Sequence, residues 1–333
     1  MASKSAWCAA VLLSLLATAC ASSERPEAWP LRPVRLIVPF GAGGAADVAA
    51  RLLAPRLSER WHRPVVVDNR PGGDAVPGVQ AFVAAKDQHT LLLSPPGVIT
   101  TNPMLHDRLP YDPAVDLVPI CTAGTFSIGI AAGGRVRVAS LSELVALARR
   151  EPGRYLWSAT GGLPELVFRA FLELERLEIK HVAYRDVTSA VHDLNAGRID
   201  LLIAAVPTLS PALQRGSARL LAVMNSARAA APSDVPTAAA AGYPMLTVDG
   251  GLGVFGWRGM PEDLRQRIAA DIRHAAGDPA IVAKLATMGF VVSVGTPEHF
   301  VEVVDRQSRQ VAEIARIVGL KRPGEGTSDV RLR

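Results

Sequence analysis

Residues 36–50 read LIVPFGAGGAADVAA: an apolar run, a glycine-rich turn and the opening of a helical pattern. Gly41, Gly43 and Ala46 fall at G-x-G-x-x-A spacing, and Asp68 closes the next apolar run, where a dinucleotide fingerprint carries its ribose acid. The same residues have a more general consequence. Glycines at a strand-to-helix turn let the backbone approach a ligand closely, and the free N–H groups of a first helical turn favour negative charge. An anion at a helix N-terminus is therefore expected, whether it belongs to a nucleotide or to a smaller acid.

Downstream, apolar runs of strand length alternate with amphipathic runs of helix length, which predicts an α/β protein with mostly parallel sheets. Strands are expected at 34–39, 64–67, 90–93, 117–122, 127–131, 155–158, 180–183, 200–204 and 220–223. Helices are expected at 45–60, 77–85, 141–150, 164–175 and 187–195, with a short one at 238–241. Ser140 and Glu143 form a capping box for the third of these, and Pro55 is expected to kink the first. From 261 to 319 the pattern reads as helices around the apolar run GFVVSV. The strand-rich middle is flanked by segments that each look incomplete alone. This predicts one lobe inserted in another: residues 29–126 begin lobe 1, 127–230 form lobe 2, and 231–325 return to lobe 1 through a hinge of crossing strands and C-terminal helices.

The chain has 333 residues, 49% of them hydrophobic and 20% charged, enough for two real cores. Its net charge of +5 is spread among acids, without basic runs interleaved with aromatics, which argues against nucleic acid. The N-terminus carries Lys4, an apolar stretch from Ala6 to Leu16, and small residues through Ala19: a signal peptide over 1–19, too short to span a bilayer. Cleavage after Ala19 leaves Cys20 first, so a periplasmic product is expected, free or lipid-anchored through Cys20. Only Cys121 then lies in the body, within an apolar run that suits a buried structural thiol better than a nucleophile.

Enzyme chemistry finds little support. There is no G-x-S-x-G elbow, no P-loop and no Cys-x-x-Cys, and no two histidines stand at the i, i+4 spacing of a helical metal pair. No catalytic residue, metal or cofactor is assigned. The nucleotide reading lacks a partner for hydride transfer and an exported chain meets no ready nicotinamide pool, so an oxidoreductase stands as the weaker alternative.

From WPLRPVRLIVPFGAGGAADVAARLLAPRL through PVVVDNRPGG, the sequence resembles the periplasmic solute-binding proteins of tripartite tricarboxylate transporters, the Bug or TctC family. The resemblance continues through LPYDPAVDLVPI, HVAYRDVTSAVHDLNAGRIDL, ARLLAVMNSAR, SDVPTAAAAGYP and GTPEHF, in order and at normal spacing. It implies a two-lobed Venus-flytrap fold that holds a small organic anion, usually a carboxylate, for a membrane permease. A ligand-presenting sensor for a membrane receptor is the alternative within that fold, and a monomer is expected.

Carried over by position, Pro39, Phe40, Gly43, Gly44 and Asp47 form the first-lobe ligand loop. In the second lobe WSATGGLPE departs from the usual serines, glycine and histidine, yet Ser158, Thr160, Gly161 and Gly162 still supply an N–H cradle ahead of Pro164. Glu165 stands near the usual histidine, where an acid disfavours a second carboxylate. In YRD, Tyr184 and Arg185 are candidate ligand residues, whereas Asp186 suits a helix cap. Ser94 and Thr100 are candidate rim contacts. Gly72, Gly73 and Gly97 are read as turn residues, and IAAVPT predicts an apolar far wall.

Overall fold

The computed structural model describes residues 29–184, 186–226, 234–287 and 289–320. The expected signal peptide, Cys20 and Arg185 lie outside them. The chain divides into Met1–Leu31 and a compact unit, Arg32–Arg333. No helix among the described residues is long and apolar enough to cross a membrane.

In chain order the strands are β1 (Val34–Val38), β2 (Val65–Asn69), β3 (Thr90–Ser94), β4 (Leu117–Phe126), β5 (Ile128–Gly133), β6 (Leu156–Ala159), β7 (Lys180–His181), β8 (Leu201–Ala205), β9 (Ala218–Val223), β10 (Gly250–Trp257) and β11 (Phe290–Val291). They form two sheets, ordered β11-β4-β10-β3-β1-β2 and β7-β6-β8-β5-β9. The longer helices are α1 (Ala45–Trp61), α2 (Val76–Ala85), α3 (Leu141–Arg150), α4 (Leu163–Glu175), α5 (Val187–Asn195), α6 (Val206–Gln214), α7 (Glu262–Ala276), α8 (Pro279–Ala286) and α9 (Pro297–Ile317).

The α/β class and the two-sheet architecture match expectation, but strand direction is mixed instead of mostly parallel. β1 runs parallel to β2 and β3, and β6 to β7 and β8. β5 and β10 run antiparallel to their neighbours. The cause is the connection between sheets. β4 ends at Phe126 and β5 begins at Ile128, so β5 enters the second sheet at the C-terminal ends of its parallel strands and must run against them. β10 does the same on return, with Gly253 opposite Ser94. Asn225 ties the first crossing: its Oδ1 accepts from Ile128 N at 2.8 Å and its Nδ2 donates to Phe126 O at 3.1 Å.

β10 has no counterpart among the expected strands. Its sequence, GGLGVFGW, holds four glycines in eight residues and reads as a loop. Packing requires glycine at two of these positions: a β-carbon on Gly253 would collide with the Phe300 ring of α9, and one on Gly250 with Phe126 O. Helix α1 runs through Pro55 to Trp61, close to its expected end. Its last turns are held from outside, by burial of Leu57 and Trp61 and by Trp61 Nε1 donating to Asp271 Oδ2 of α7 at 2.7 Å. Residues 238–241 form turns, not a helix; Ala238 is buried beneath them. The α3 cap forms, with Ser140 Oγ accepting from Glu143 N at 3.2 Å, and the Glu143 carboxylate reaching back to Ala139 N at 2.8 Å.

The apolar cores follow the sheets. Ile37, Phe82, Leu92, Phe255 and Phe300 centre one cluster on the first sheet. Ile130, Trp157, Phe168, Phe171 and Ile203 centre another on one face of the second, which also takes in Ala238, Leu246 and Val248 from beyond β9. Leu202, Ala204 and Leu209 lie in a third on its other face. Cys121 is wholly buried and burial pushes its thiol up to about 12, so the structure gives it no nucleophilic character.

Candidate ligand cleft

The C-terminal ends of β1, β3, β6, β7 and β8 open on one cleft of about 480 Å³. Open α/β sheets hold ligands at such ends, where strands hand over to helix N-termini. Helices α1, α2, α4 and α5 all begin here, aiming the positive ends of their dipoles into the same space.

From the first sheet, Pro39, Phe40 and Gly44 border the cleft, together with Ala45 and Ala46 of the opening turn of α1. Ser94, at the end of β3, borders it too. Its side chain is buried, and Oγ has no hydrogen-bond partner among the described residues. From the second sheet, Thr160, Gly161, Gly162 and Tyr184 border the cleft. Gly162 has φ of +82°, a conformation that suits glycine at the start of α4.

The remaining sequence candidates are used by the scaffold. Asp47 is buried and turned away from the cleft, accepting from Gly43 N at 2.8 Å, Arg51 Nε at 2.9 Å and Asn69 Nδ2 at 2.9 Å. Asn69 Nδ2 also donates to Phe40 O at 3.0 Å, so Asp47 and Asn69 together staple the glycine loop to β2. Burial raises the Asp47 pKa, but the bonds from Arg51, Gly43 and Asn69 outweigh it and hold the carboxyl below the usual range. Gly43 supplies positive φ, +83°, and an N–H for Asp47 instead of a cleft wall. Thr100 Oγ1 donates to Gln307 Oε1 of α9 at 2.7 Å. Ser158 is buried in β6 behind the cleft. Tyr184 borders the cleft, but its hydroxyl donates to Asp193 Oδ2 at 2.7 Å; desolvation and that acid push it up to about 12.

The loop after β2 contributes more than sequence reading gave it. Gly72 and Gly73, read as turn residues, border the cleft with Asp74, as does Gly97. Asp74 and Ala75 hold φ of +53° and +69°, a left-handed pair costing roughly 1–2 kcal/mol per residue. Asn102 Nδ2 donates to Asp74 O at 2.8 Å and so fixes this loop, while Asp74 Oδ2 meets His106 Nε2 at 3.0 Å. Asp74 Oδ1 lies against Gly161 of the second sheet, in the space a β-carbon there would fill. Glu165 and Asp186 also border the cleft. Glu165 pairs with Arg169 at 2.8 Å, and Asp186 caps α5 through Ser189 N at 2.8 Å. Two left-handed non-glycine residues in succession are not visible as a pattern in PGGDAVPG. The expected apolar far wall is broken by Thr208, which borders the cleft after β8.

A second cavity, about 580 Å³, lies between α9 and the crossing segments and adjoins the first, with Pro96, Phe126, residues 249–252 and Gln307 bordering both. It lacks the converging helix N-termini that mark the cleft.

The model of the tripartite tricarboxylate transporter family receptor, TctC, matches residues 49–320. A UPF0065 protein from Pseudomonas sp. strain P51 is 31% identical over 299 residues, 89% of each chain. Protein BugT of Bordetella pertussis is 29% identical over 317 residues, 94% of this chain and 97% of its own. Among solved structures, R. palustris Rpa4515 with adipate superposes with a TM-score of 0.82 at 28% identity, covering 88% of this chain and 99% of that one. The chain thus belongs to the TctC family of tripartite tricarboxylate transporter receptors, a family of solute-binding proteins and not of enzymes.

Proposed function

We propose that this receptor captures a small organic acid between two lobes, in the periplasm, and delivers it to a membrane permease. The observation that carries the reading is Ser94: a buried hydroxyl with no partner among the described residues, bordering the same cleft as the opening turn of α1. A buried hydroxyl left unpaired is costly, and a carboxylate seated against it and the N–H groups of Ala45 and Ala46 removes that cost. The adipate of Rpa4515 supports a carboxylate as the ligand group.

On this reading residues 32–126 and 249–320 form lobe 1 and 127–248 lobe 2, because Ala238, Leu246 and Val248 pack with the second sheet. Lobe closure is a hinge motion about the crossings at Phe126–Ile128 and Val248–Gly250. The processed chain is free in the periplasm or held to lipid through Cys20. The direct test is mass spectrometry of whatever small molecule leaves the purified protein on denaturation. A carboxylic acid is expected, and its titrated return should raise the melting temperature. A nucleotide there, or no stabilisation by any carboxylate, overturns the reading.

A further inference from the structure

Around the Gly161–Gly162 loop, the ends of three helices carry acids of the chain itself. Asp74 precedes α2, Glu165 lies in the first turn of α4, and Asp186 caps α5. All three border the cleft. Each helix N-terminus would otherwise attract an anionic ligand group, and here that attraction is already met by a carboxylate.

The three are not equally engaged. Asp186 spends both oxygens on Ser189, Oδ1 on its N–H and Oδ2 on its hydroxyl. Asp74 gives Oδ2 to His106, and Glu165 gives Oε1 to Arg169 and stands 3.7 Å from His181. Asp74 Oδ1 and Glu165 Oε2 accept no hydrogen bond among the described residues. One of these oxygens reaches across from the first sheet, and the other sits at the head of α4 in the second. Elsewhere on the same wall, Ser94 keeps a buried hydroxyl unpartnered. A single cleft therefore offers a hydroxyl donor and helix N–H groups together with carboxylate acceptors.

We propose that the ligand carries a carboxylate at one end and a cationic nitrogen at the other, with Asp74 and Glu165 receiving the nitrogen beside Gly161. The carboxylate end rests on the function proposed above; the cationic end is new. A dicarboxylate would place its second charge against two acids in a partly desolvated cleft, whereas an ammonium group there satisfies both free oxygens. Asp74 thereby becomes a specificity-determining residue, its position fixed by Asn102 and His106.

The test is calorimetry on the processed full chain with matched pairs of probes: succinate and 4-aminobutanoate, glutarate and 5-aminopentanoate, adipate and 6-aminohexanoate. Within each pair the two differ by one carboxylate replaced with one ammonium group at equal or near-equal length. The amino acid of the best-binding pair should bind at least about tenfold tighter than its dicarboxylate. Asp74→Asn should cut that preference by about tenfold, chiefly by weakening the amino acid, and Glu165→Gln should shift it the same way. If the dicarboxylate binds as well or better, this inference falls while the carboxylate reading stands. If no member of any pair binds, and no other carboxylate does, both fall. A preference that survives in both variants also overturns the assignment to these two acids.

Discussion

Asp74 and Gly161 meet across the cleft so closely that a β-carbon on Gly161 would collide with Asp74 Oδ1. Gly161 has no positive φ, so its lack of a side chain serves this approach and not a turn. Gly161→Ala should therefore weaken ligand binding, by about tenfold for an overpacked contact of 1–2 kcal/mol, while the apo melting temperature hardly moves. Gly161→Asp should weaken it further, because it adds a like charge against Asp74. In the Gly161→Ala, Asp74→Ala double variant the collision is gone, so the two losses should be less than additive. Gly162 gives the opposite pattern. It stands in open space at positive φ, and alanine there should lower apo stability by about 1 kcal/mol. Equal apo destabilisation by alanine at 161 and 162 would refute the distinction.

Ser94 and Ser158 provide a controlled pair. Both are fully buried with unpartnered hydroxyls, but only Ser94 borders the cleft. Ser94→Ala should cost about five- to tenfold in affinity for a carboxylate, the value of one hydrogen bond, without lowering apo stability. Ser158→Ala should leave affinity unchanged and raise apo stability by up to about 1 kcal/mol, since an unpaired polar group is removed. Calorimetry and apo melting on both variants decide it; equal affinity losses would sink the assignment of Ser94.

Asp47 links loop integrity to pH. Its carboxyl is held below the usual range in the folded chain, so the charged form stabilises the fold. That contribution is fully present above the unfolded value of about 3.9 and is lost as pH falls through the lower folded value. Arg51 is half exposed, which limits its contribution, but the half-buried bonds from Gly43 and Asn69 remain. Asp47→Asn should destabilise the protein by about 1–3 kcal/mol at neutral pH, and the gap from wild type should close below pH of about 4. Denaturant titrations at several pH values would measure it. A gap that widens on acidification would show the sign to be wrong.

Much of this architecture is legible in the sequence because period and punctuation agree with tertiary context. The helices at 45–61, 141–150 and 187–195 carry amphipathic spacing, and Ser140 and Asp186 act as the caps their residue types announce. β10 was hidden because its glycines answer to distant residues, Gly253 to Phe300 nearly fifty positions later and Gly250 to Phe126. The last turn of α1, beyond Pro55, likewise has a distant support, Asp271 of α7. At the cleft, motif position placed Pro39, Phe40, Gly44, Thr160, Gly161 and Gly162 on its wall. The same reasoning could not tell that Asp47 turns inward to Asn69, or that Thr100 is taken by Gln307. Asp74 was invisible, since its importance comes from a left-handed backbone and from a partner in the other sheet.

Helix α9 joins the two halves through one continuous element. Phe300 and Val304 pack into the first-sheet cluster, and Val311 and Ile314 into that of the second. Gln307, between these anchors, accepts from Thr100 at 2.7 Å, and Gln310 Nε2 donates to Thr247 O at 2.6 Å. Because the helix is stiff along its length, loosening either anchor releases a surface on which the other half depends. Ile314→Ala should remove about 2–4 kcal/mol, the usual range for a deeply buried large-to-alanine change. Native-state hydrogen exchange reads how that loss is distributed. If α9 couples the sheets, the slowest amides of β1 and β3 should lose the same free energy as those of β5 and β8, although Ile314 touches only the second cluster. A loss confined to β5 and β8 would show two halves that open independently, and α9 would then be a cover on each instead of a tie between them.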